Sequence, residues 1–313
     1  MVNKLESPIS IKEVAVLLLG FNRPELLTKR INEIFGSNVE NLYISIDGGP
    51  DSHTPEMEKF KSFVREKLNY QTIYLVHHEN NLGLVAHITE TISKIFLTFK
   101  YIIVIEDDVV LSENFITNMV NGLNLQSRLN QNGVVSGGST IYNKKLRNKW
   151  RESTTPGMWG WACSATTWNG VRFNLVDVNL ENELEKSSTW QSLTQTEKKY
   201  WIAQFIKVQK NPLYTWEYQF LFHLFKNNMI NISPIFSMTG NEGLNRTDAF
   251  HASDSRSRSM DRNNKNVNNS LVLSLSRFSQ FYNLFKVETW AYQKVIKEIA
   301  KILKPFRETS HTL

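Results

Sequence analysis

"YIIVIEDDVVLSENF", residues 101–115, sets Glu106, Asp107 and Asp108 directly after an apolar run. A run of this kind suits a strand buried on both faces, which is the habit of parallel sheets covered by helices. Three adjacent carboxylates repel one another, so either water screens them or a cation and hydrogen-bond donors compensate them. A solvated turn is the bland reading of any Asp-Asp pair. The apolar strand argues against it here, because open α/β sheets bind ligands just outside the carboxyl ends of their strands.

Upstream the same grammar repeats. "EVAVLLLGF" (13–21) reads as a buried strand, and "NRPELLTKRINEIF" carries Leu26, Leu27, Ile31, Ile34 and Phe35 at helical spacing, with Pro24 in its first turn. "NLYISIDGGP" (41–50) and "QTIYLVHH" (71–78) predict two further strands; "EMEKFKSFVREKL" (56–68) and a turn-helix segment at 80–99 predict the helices between strands. Regular alternation implies an α/β fold with a mostly parallel central sheet flanked by helices. The residues at its strand ends are then neighbours in space: Phe21, Asn22 and Arg23, then Asp47 and Gly48, then Asn80 and Asn81, then the acidic triplet.

Beyond the triplet, "SENFITNMVNGLNLQSRL" (112–129) predicts a helix capped by Ser112, and "GVVSGGSTIY" (133–142) a strand. Residues 150–245 hold most of the tryptophans and alternate less regularly, so a mixed continuation of the core is expected rather than a second domain. The reading of the organisation is one catalytic domain over 1–245, with a donor half at about 13–145 and acceptor-side loops at about 146–245. A polar connector at 246–288 and a C-terminal helical extension at 289–308 follow.

The charge is uneven. The net +6 arises wholly from residue 246 onward, where 12 Lys/Arg meet 6 Asp/Glu. Tyr292, Val295, Ile296, Ile299, Ile302 and Leu303 form an apolar stripe there, flanked by lysines, which suits packing on the body, a second subunit in a homo-oligomer, or an anionic membrane surface. No nucleic-acid-binding pattern accompanies the charge, so nucleic acid is not an expected partner. The lone cysteine, Cys163, makes an intrachain disulfide framework impossible. With no signal peptide or spanning helix evident, the expected location is cytoplasmic, with peripheral attachment to the inner membrane face as the variant the basic stripe allows.

The ordered set "LLLGFNRPE", "ISIDGG", "NNLGLVAHI", "VIEDDVVLSENF", "GMWGWACSATTW", "TWEYQF" and "ISPIFSMTGNEGL" resembles the A-type-fold (GT-A, Rossmann-like) nucleotide-sugar glycosyltransferases. Within them the likeness is to the inverting N-acetylglucosaminyltransferase I type and its bacterial polysaccharide-synthesis relatives. The resemblance implies a metal-dependent transfer from a nucleotide diphosphate donor, UDP-linked, to a glycan, glycoprotein or glycolipid. It implies Mn²⁺ or Mg²⁺ on Asp108, with Glu106 and Asp107 on the donor side, Asp47 toward uracil or ribose, and Gly20 to Arg23 as the nucleotide wall.

Arg23 has a second reading as the cap of a sheet-end carboxylate, and Asn81 and Gly83 as an ordinary turn. Glu217 in "TWEYQF" matches the family's catalytic base, although aspartate is commoner there, and Glu242 and Glu197 are its rivals. Trp159 and Trp161 suit either a stacked pyranose or the core, and Glu242 is also read as an acceptor or sugar contact. His251 matches a metal- or diphosphate-approaching histidine. The alternatives are a nucleotidyltransferase, for which the loop after the first strand lacks a glycine-rich basic character, and a non-catalytic carbohydrate-binding protein.

Overall fold

A computed structural model describes residues 7–50, 53–67, 72–139, 149–243 and 271–272, all within the compact unit Met1–Leu273. The proposed C-terminal helix at 289–308, the connector's residues 246–270 and His251 lie outside the described residues.

Four strands form the heart of the sheet: β1 (Val14–Gly20), β2 (Asn41–Ile46), β3 (Thr72–His77) and β4 (Tyr101–Glu106). They are linked by helices α1 (Pro24–Phe35), α2 (Pro55–Lys67) and α3 (Leu84–Ile95). All four strands run parallel, in the order β3-β2-β1-β4. β1 is buried from Val14 to Leu19, and β4 from Ile102 to Ile105, so both faces of each strand are covered as their unbroken apolar character requires. Each fully buried aliphatic side chain contributes roughly 1.5–3 kcal/mol, which is what makes this register hard to shift. The chain runs outward from β1 to β3, then returns through α3 to place β4 on the other side of β1. The sheet's direction of growth reverses between β1 and β4, and the crevice at their carboxyl ends is the place where such sheets take ligands.

The remaining strands and helices follow in order: β5 (Val109–Leu111), α4 (Phe115–Arg128), β6 (Val135–Ser136), β7 (Trp150–Ser153), β8 (Trp161–Ser164), α5 (Ala165–Trp168), α6 (Leu180–Glu185), α7 (Ser188–Gln191), α8 (Gln195–Lys210), α9 (Glu217–Lys226), β9 (Asn231–Pro234), β10 (Thr239–Asn241) and β11 (Leu271–Val272). Strands β8, β6, β9, β7 and β11 extend the same sheet beyond β4. The pairings β4–β8, β6–β8 and β7–β9 are antiparallel, while β6–β9 and β7–β11 are parallel. The sheet is therefore mixed, and the expectation of a mostly parallel sheet holds only for its first half. Its reason is visible in the sequence: short strands separated by long glycine- and tryptophan-containing stretches do not make βαβ crossovers.

The helix predicted over 112–129 begins later, at Phe115 after Asn114, and Ser112 does not cap it. Instead Val109–Leu111 is drawn into an antiparallel ladder with Thr239–Asn241, and Ser112 N–H donates to the Met238 carbonyl at 2.9 Å. This small ladder has a large consequence for the site. It pins the segment after the acids to a segment more than a hundred residues away.

The aromatic residues are mostly interior. Trp150, Trp161, Trp168, Trp190, Trp201 and Trp216 are all buried. No described helix is long and apolar enough to cross a membrane.

Candidate active site

At the β1 end, Gly20 is where α1 comes closest to the sheet: a Cβ there would lie 2.5 Å from Leu27 Cδ2. Its absence of a side chain lets the helix start close to the strand, and Arg23 stands at the helix N-cap position. The Arg23 guanidinium reaches across to β4. Its Nη2 lies 2.7 Å from Asp107 Oδ1 and its Nε donates to Asp107 Oδ2 at 3.1 Å, a two-pronged pairing of planar groups. Its Nη1 is 3.6 Å from Asp108 Oδ2. Of the two sequence readings for Arg23, the cap of a sheet-end carboxylate describes these contacts.

The three acids are not equivalent. Glu106 ends β4, and burial raises its pKa well above the usual carboxylate range, reinforced by Asp108, Glu217 and Asp107 and opposed by Arg23. Burial also pushes Asp107 up to about 7, against the pull of Arg23. Asp108 is raised too, again chiefly by burial, with Arg23 opposing. Its side chain keeps 17% of its surface, against 3% for Asp107, so Asp108 is the more accessible of the aspartates to a ligand.

Asp108 is held from behind by the β10 segment. Glu242 N–H donates to its carbonyl at 2.8 Å, and Asn241 Nδ2 approaches its Oδ1 at 3.4 Å. Gly243 closes the cradle. A Cβ on Gly243 would lie 2.4 Å from Asp108 Oδ2, so glycine leaves the carboxylate its present position. Neither Asn241 nor Gly243 was identified from the sequence, although "TGNEGL" advertises a turn; nothing local tells that this turn lands on the triplet.

Glu217, the first residue of α9, is close enough to Glu106 to add to its upward shift, and its backbone N–H approaches Thr215 Oγ1 at 3.3 Å. Its rivals have other work. Glu197 forms a capping box with Thr194 at the start of α8, accepting from Thr194 N at 2.7 Å. Glu242 points away toward α1, where it pairs with Lys29 at 3.1 Å and Arg30 at 3.3 Å. Burial alone would raise the Glu242 pKa, but these two cations lower it. Glu242 also borders an open depression of about 500 Å³ beside α1 and β5.

Asp47, at the end of β2, is 5% exposed and accepts from the backbone N–H groups of Gly48 and Leu82 at 2.8 Å and of Gly83 at 3.1 Å. Asn81 Oδ1 takes Gly83 N–H as well, at 2.7 Å. Gly83 itself has φ +77°, a conformation that favours glycine. Asp47 thus ties the loop before α3 to the end of β2. Behind it His87 Nε2 meets Ser45 Oγ at 2.8 Å, and burial drives its pKa down to about 4, with Asp47 opposing and His78 adding to the fall. Phe21 is half-buried and Asn22 exposed beside this rim.

Trp161 is fully buried and stacks on Trp168 and Trp216, with ring centroids 6.1 and 5.4 Å away. It belongs to the aromatic core and offers no open face to a sugar. Trp159 is half-buried against the main apolar cluster, with its carbonyl accepting from Thr239 Oγ1 at 2.9 Å.

A divalent ion fits these residues in one way. Among the described residues no group of three or more metal-ligating side chains converges, and Asp107 is already engaged on both oxygens. Asp108 in its glycine cradle fits as a single carboxylate ligand to an ion whose remaining ligands would come from outside the chain, as is usual for Mg²⁺.

No family model matches the chain, and no curated protein matches it. Solved structures do. The chain is similar to a mannosyltransferase from Pyrobaculum calidifontis in complex with GDP-mannose and Mn²⁺, with 13% identity and a TM-score of 0.36 over 56% of this chain and 48% of that one. It spans about half the length of that enzyme. It is similar to a UDP-glucose pyrophosphorylase complexed with UDP-glucose (9% identity, TM-score 0.38, 71% of this chain and 90% of that one). A third is a protein from Bacillus anthracis assigned as a glucose-1-phosphate thymidylyltransferase (9% identity, TM-score 0.32, 61% and 83%). At these identities and scores the likeness is one of general fold, and no activity follows from it.

Proposed function

We propose that the chain is a nucleotide-sugar glycosyltransferase that moves a sugar from a nucleoside diphosphate donor, UDP-linked by the sequence resemblance, to a hydroxyl of a glycan, glycoprotein or glycolipid acceptor, with inversion. What supports this reading is the meeting of unlike groups at the end of β4: Arg23 lies beside the accessible Asp108, and Glu217 is near enough to raise Glu106.

In this reading the diphosphate lies on the Arg23 side, where a guanidinium edge offers charge-assisted hydrogen bonds. The acceptor lies toward Glu217. Its oxygen attacks the anomeric carbon as its proton passes to the Glu217 carboxylate, and the bond from that carbon to the diphosphate oxygen breaks. Burial raises the Glu106 pKa well above the usual carboxylate range, and the neighbouring Glu217 adds to that rise. Mn²⁺ or Mg²⁺ held at Asp108 would supply charge neutralisation for the departing diphosphate. Asp47 keeps the loop of Asn81 and Gly83 in place as the rim of the nucleotide side.

Nucleotidyl transfer shares the acidic strand end, but it handles a triphosphate. The loop between β1 and α1 offers Arg23 as its only cation, with no glycine-rich basic cradle of the kind a triphosphate would use. A carbohydrate-binding module is weakened by the burial of the tryptophans that suggested it. Cytoplasmic location and a membrane or subunit contact through residues 289–308 belong to this proposal as well.

The deciding experiment is a screen of UDP- and GDP-sugars with Mn²⁺, reading nucleoside diphosphate release, beside a parallel screen of nucleoside triphosphates with sugar 1-phosphates, reading pyrophosphate. Release of a nucleoside diphosphate that Asp108→Asn abolishes is the expected result. Pyrophosphate production alone would replace transfer with nucleotidyl chemistry.

A further inference from the structure

We propose that Arg23 is the resident counter-ion of the acidic strand end, and that its fixed charge beside Asp108 makes divalent-cation binding depend on a nucleoside diphosphate. This inference rests on the transferase reading above. It concerns how the chain's own cation divides the crevice between metal and phosphate.

The geometry is one of a clamped charge. Asp107 takes the Nε and Nη2 edge of the guanidinium at 3.1 and 2.7 Å, which fixes both the plane and the position of the group. Asp107 is 3% exposed, so it cannot be reached easily by a competing cation, and it acts as a positioning residue for Arg23. The free Nη1 edge is left 3.6 Å from Asp108 Oδ2, too long for a good hydrogen bond but close enough for strong charge interaction. The Arg23 side chain as a whole retains 22% of its surface, so the clamped residue is not sealed away from solvent.

A divalent ion approaching Asp108 alone therefore meets a unit positive charge that cannot retreat. A diphosphate reverses the balance, because its oxygens accept from the Nη1 edge and ligate the ion at the same time. The two ligands are coupled through Arg23, and thermodynamic linkage makes the coupling reciprocal.

The test is a pair of titrations on the full chain: Mn²⁺ followed by its electron paramagnetic resonance signal, and UDP followed by calorimetry, each with and without the other. In Arg23→Gln, Mn²⁺ without UDP is expected to bind at least about tenfold tighter than in the wild type, and UDP without Mn²⁺ at least about tenfold weaker. A merely structural role would weaken both. Unchanged or weaker Mn²⁺ binding in this variant, with UDP still binding the wild type, overturns the counter-ion role and leaves the transferase reading standing. If the wild type binds neither UDP nor Mn²⁺ with UDP, both fall. Circular dichroism and the thermal midpoint in chelator report whether the variant is folded. Arg23→Lys supplies the second arm: it keeps the charge, so its Mn²⁺ affinity is expected within about threefold of wild type, and a tenfold gain there overturns the proposal.

Discussion

Gly243→Ala asks whether the position of one carboxylate matters more than its charge. The added Cβ would stand 2.4 Å from Asp108 Oδ2 and 3.1 Å from Asp108 Cγ, with Asn241 Oδ1 at 3.0 Å. An ordinary carbon–oxygen contact is about 3.4 Å, so the carboxylate must retreat by roughly 1 Å or turn off its rotamer. Turning a side chain about 30° off a rotamer costs on the order of 1 kcal/mol, and a loss of that size lowers the melting temperature of a chain this large by only about 2–4 °C. A reacting group misplaced by about 1 Å costs on the order of a hundredfold in rate. The expected outcome is therefore a fall of about a hundredfold in nucleotide-sugar turnover with nearly unchanged stability. Turnover and the thermal midpoint are measured on the same preparation. Turnover within about twofold of wild type, in a folded variant, would refute the claim that the cradle around Asp108 serves the chemistry.

Glu217→Gln is expected to lower turnover by about a hundredfold or more while leaving UDP affinity within a few-fold, read by steady-state kinetics and calorimetry. Affinity lost with turnover kept would assign Glu217 to donor binding. His87 gives a pH signature: its folded pKa of about 4 lies below the usual histidine value of 6.5, so between these limits the unfolded chain binds the extra proton. Stability attributable to His87 is then complete above about pH 6.5 and is lost as pH falls toward 4, by about 3 kcal/mol at most. In His87→Gln this part of the pH slope, followed by urea unfolding, is expected to flatten. Asp47→Ala removes the acceptor for three backbone N–H groups and is expected to cost about 2 kcal/mol or more, with faster amide exchange at Leu82 and Gly83. A change under about 0.5 kcal/mol would mean those amides find water instead.

Much of this arrangement was legible in the sequence because it is written in local physics. The unbroken apolar runs at Val14–Gly20 and Tyr101–Glu106 mark strands buried on both faces, and the helical spacing of Leu26, Leu27, Ile31 and Ile34 marks a helix between neighbours. Alternation of the two forces a parallel half-sheet, and that in turn brings Arg23, Asp47 and the acidic triplet to one rim. The residues themselves therefore determined the first half of the fold and the location of the crevice.

Tertiary structure decided what each group does there. Side-chain periodicity does not say which of two carboxylates a guanidinium will clamp, yet Arg23 meets Asp107 across 84 residues of chain. It does not reveal that Asn241 and Gly243 will back Asp108, because that contact depends on a short antiparallel ladder between Val109–Leu111 and Thr239–Asn241. Nor does a tryptophan's identity distinguish a sugar platform from a core filler, which is why Trp161 became interior only once Trp168 and Trp216 were seen against it. Local sequence fixes backbone form through short-range sterics and burial. The division of labour among charges is set by distances between segments remote in sequence, and those distances exist only in the folded chain.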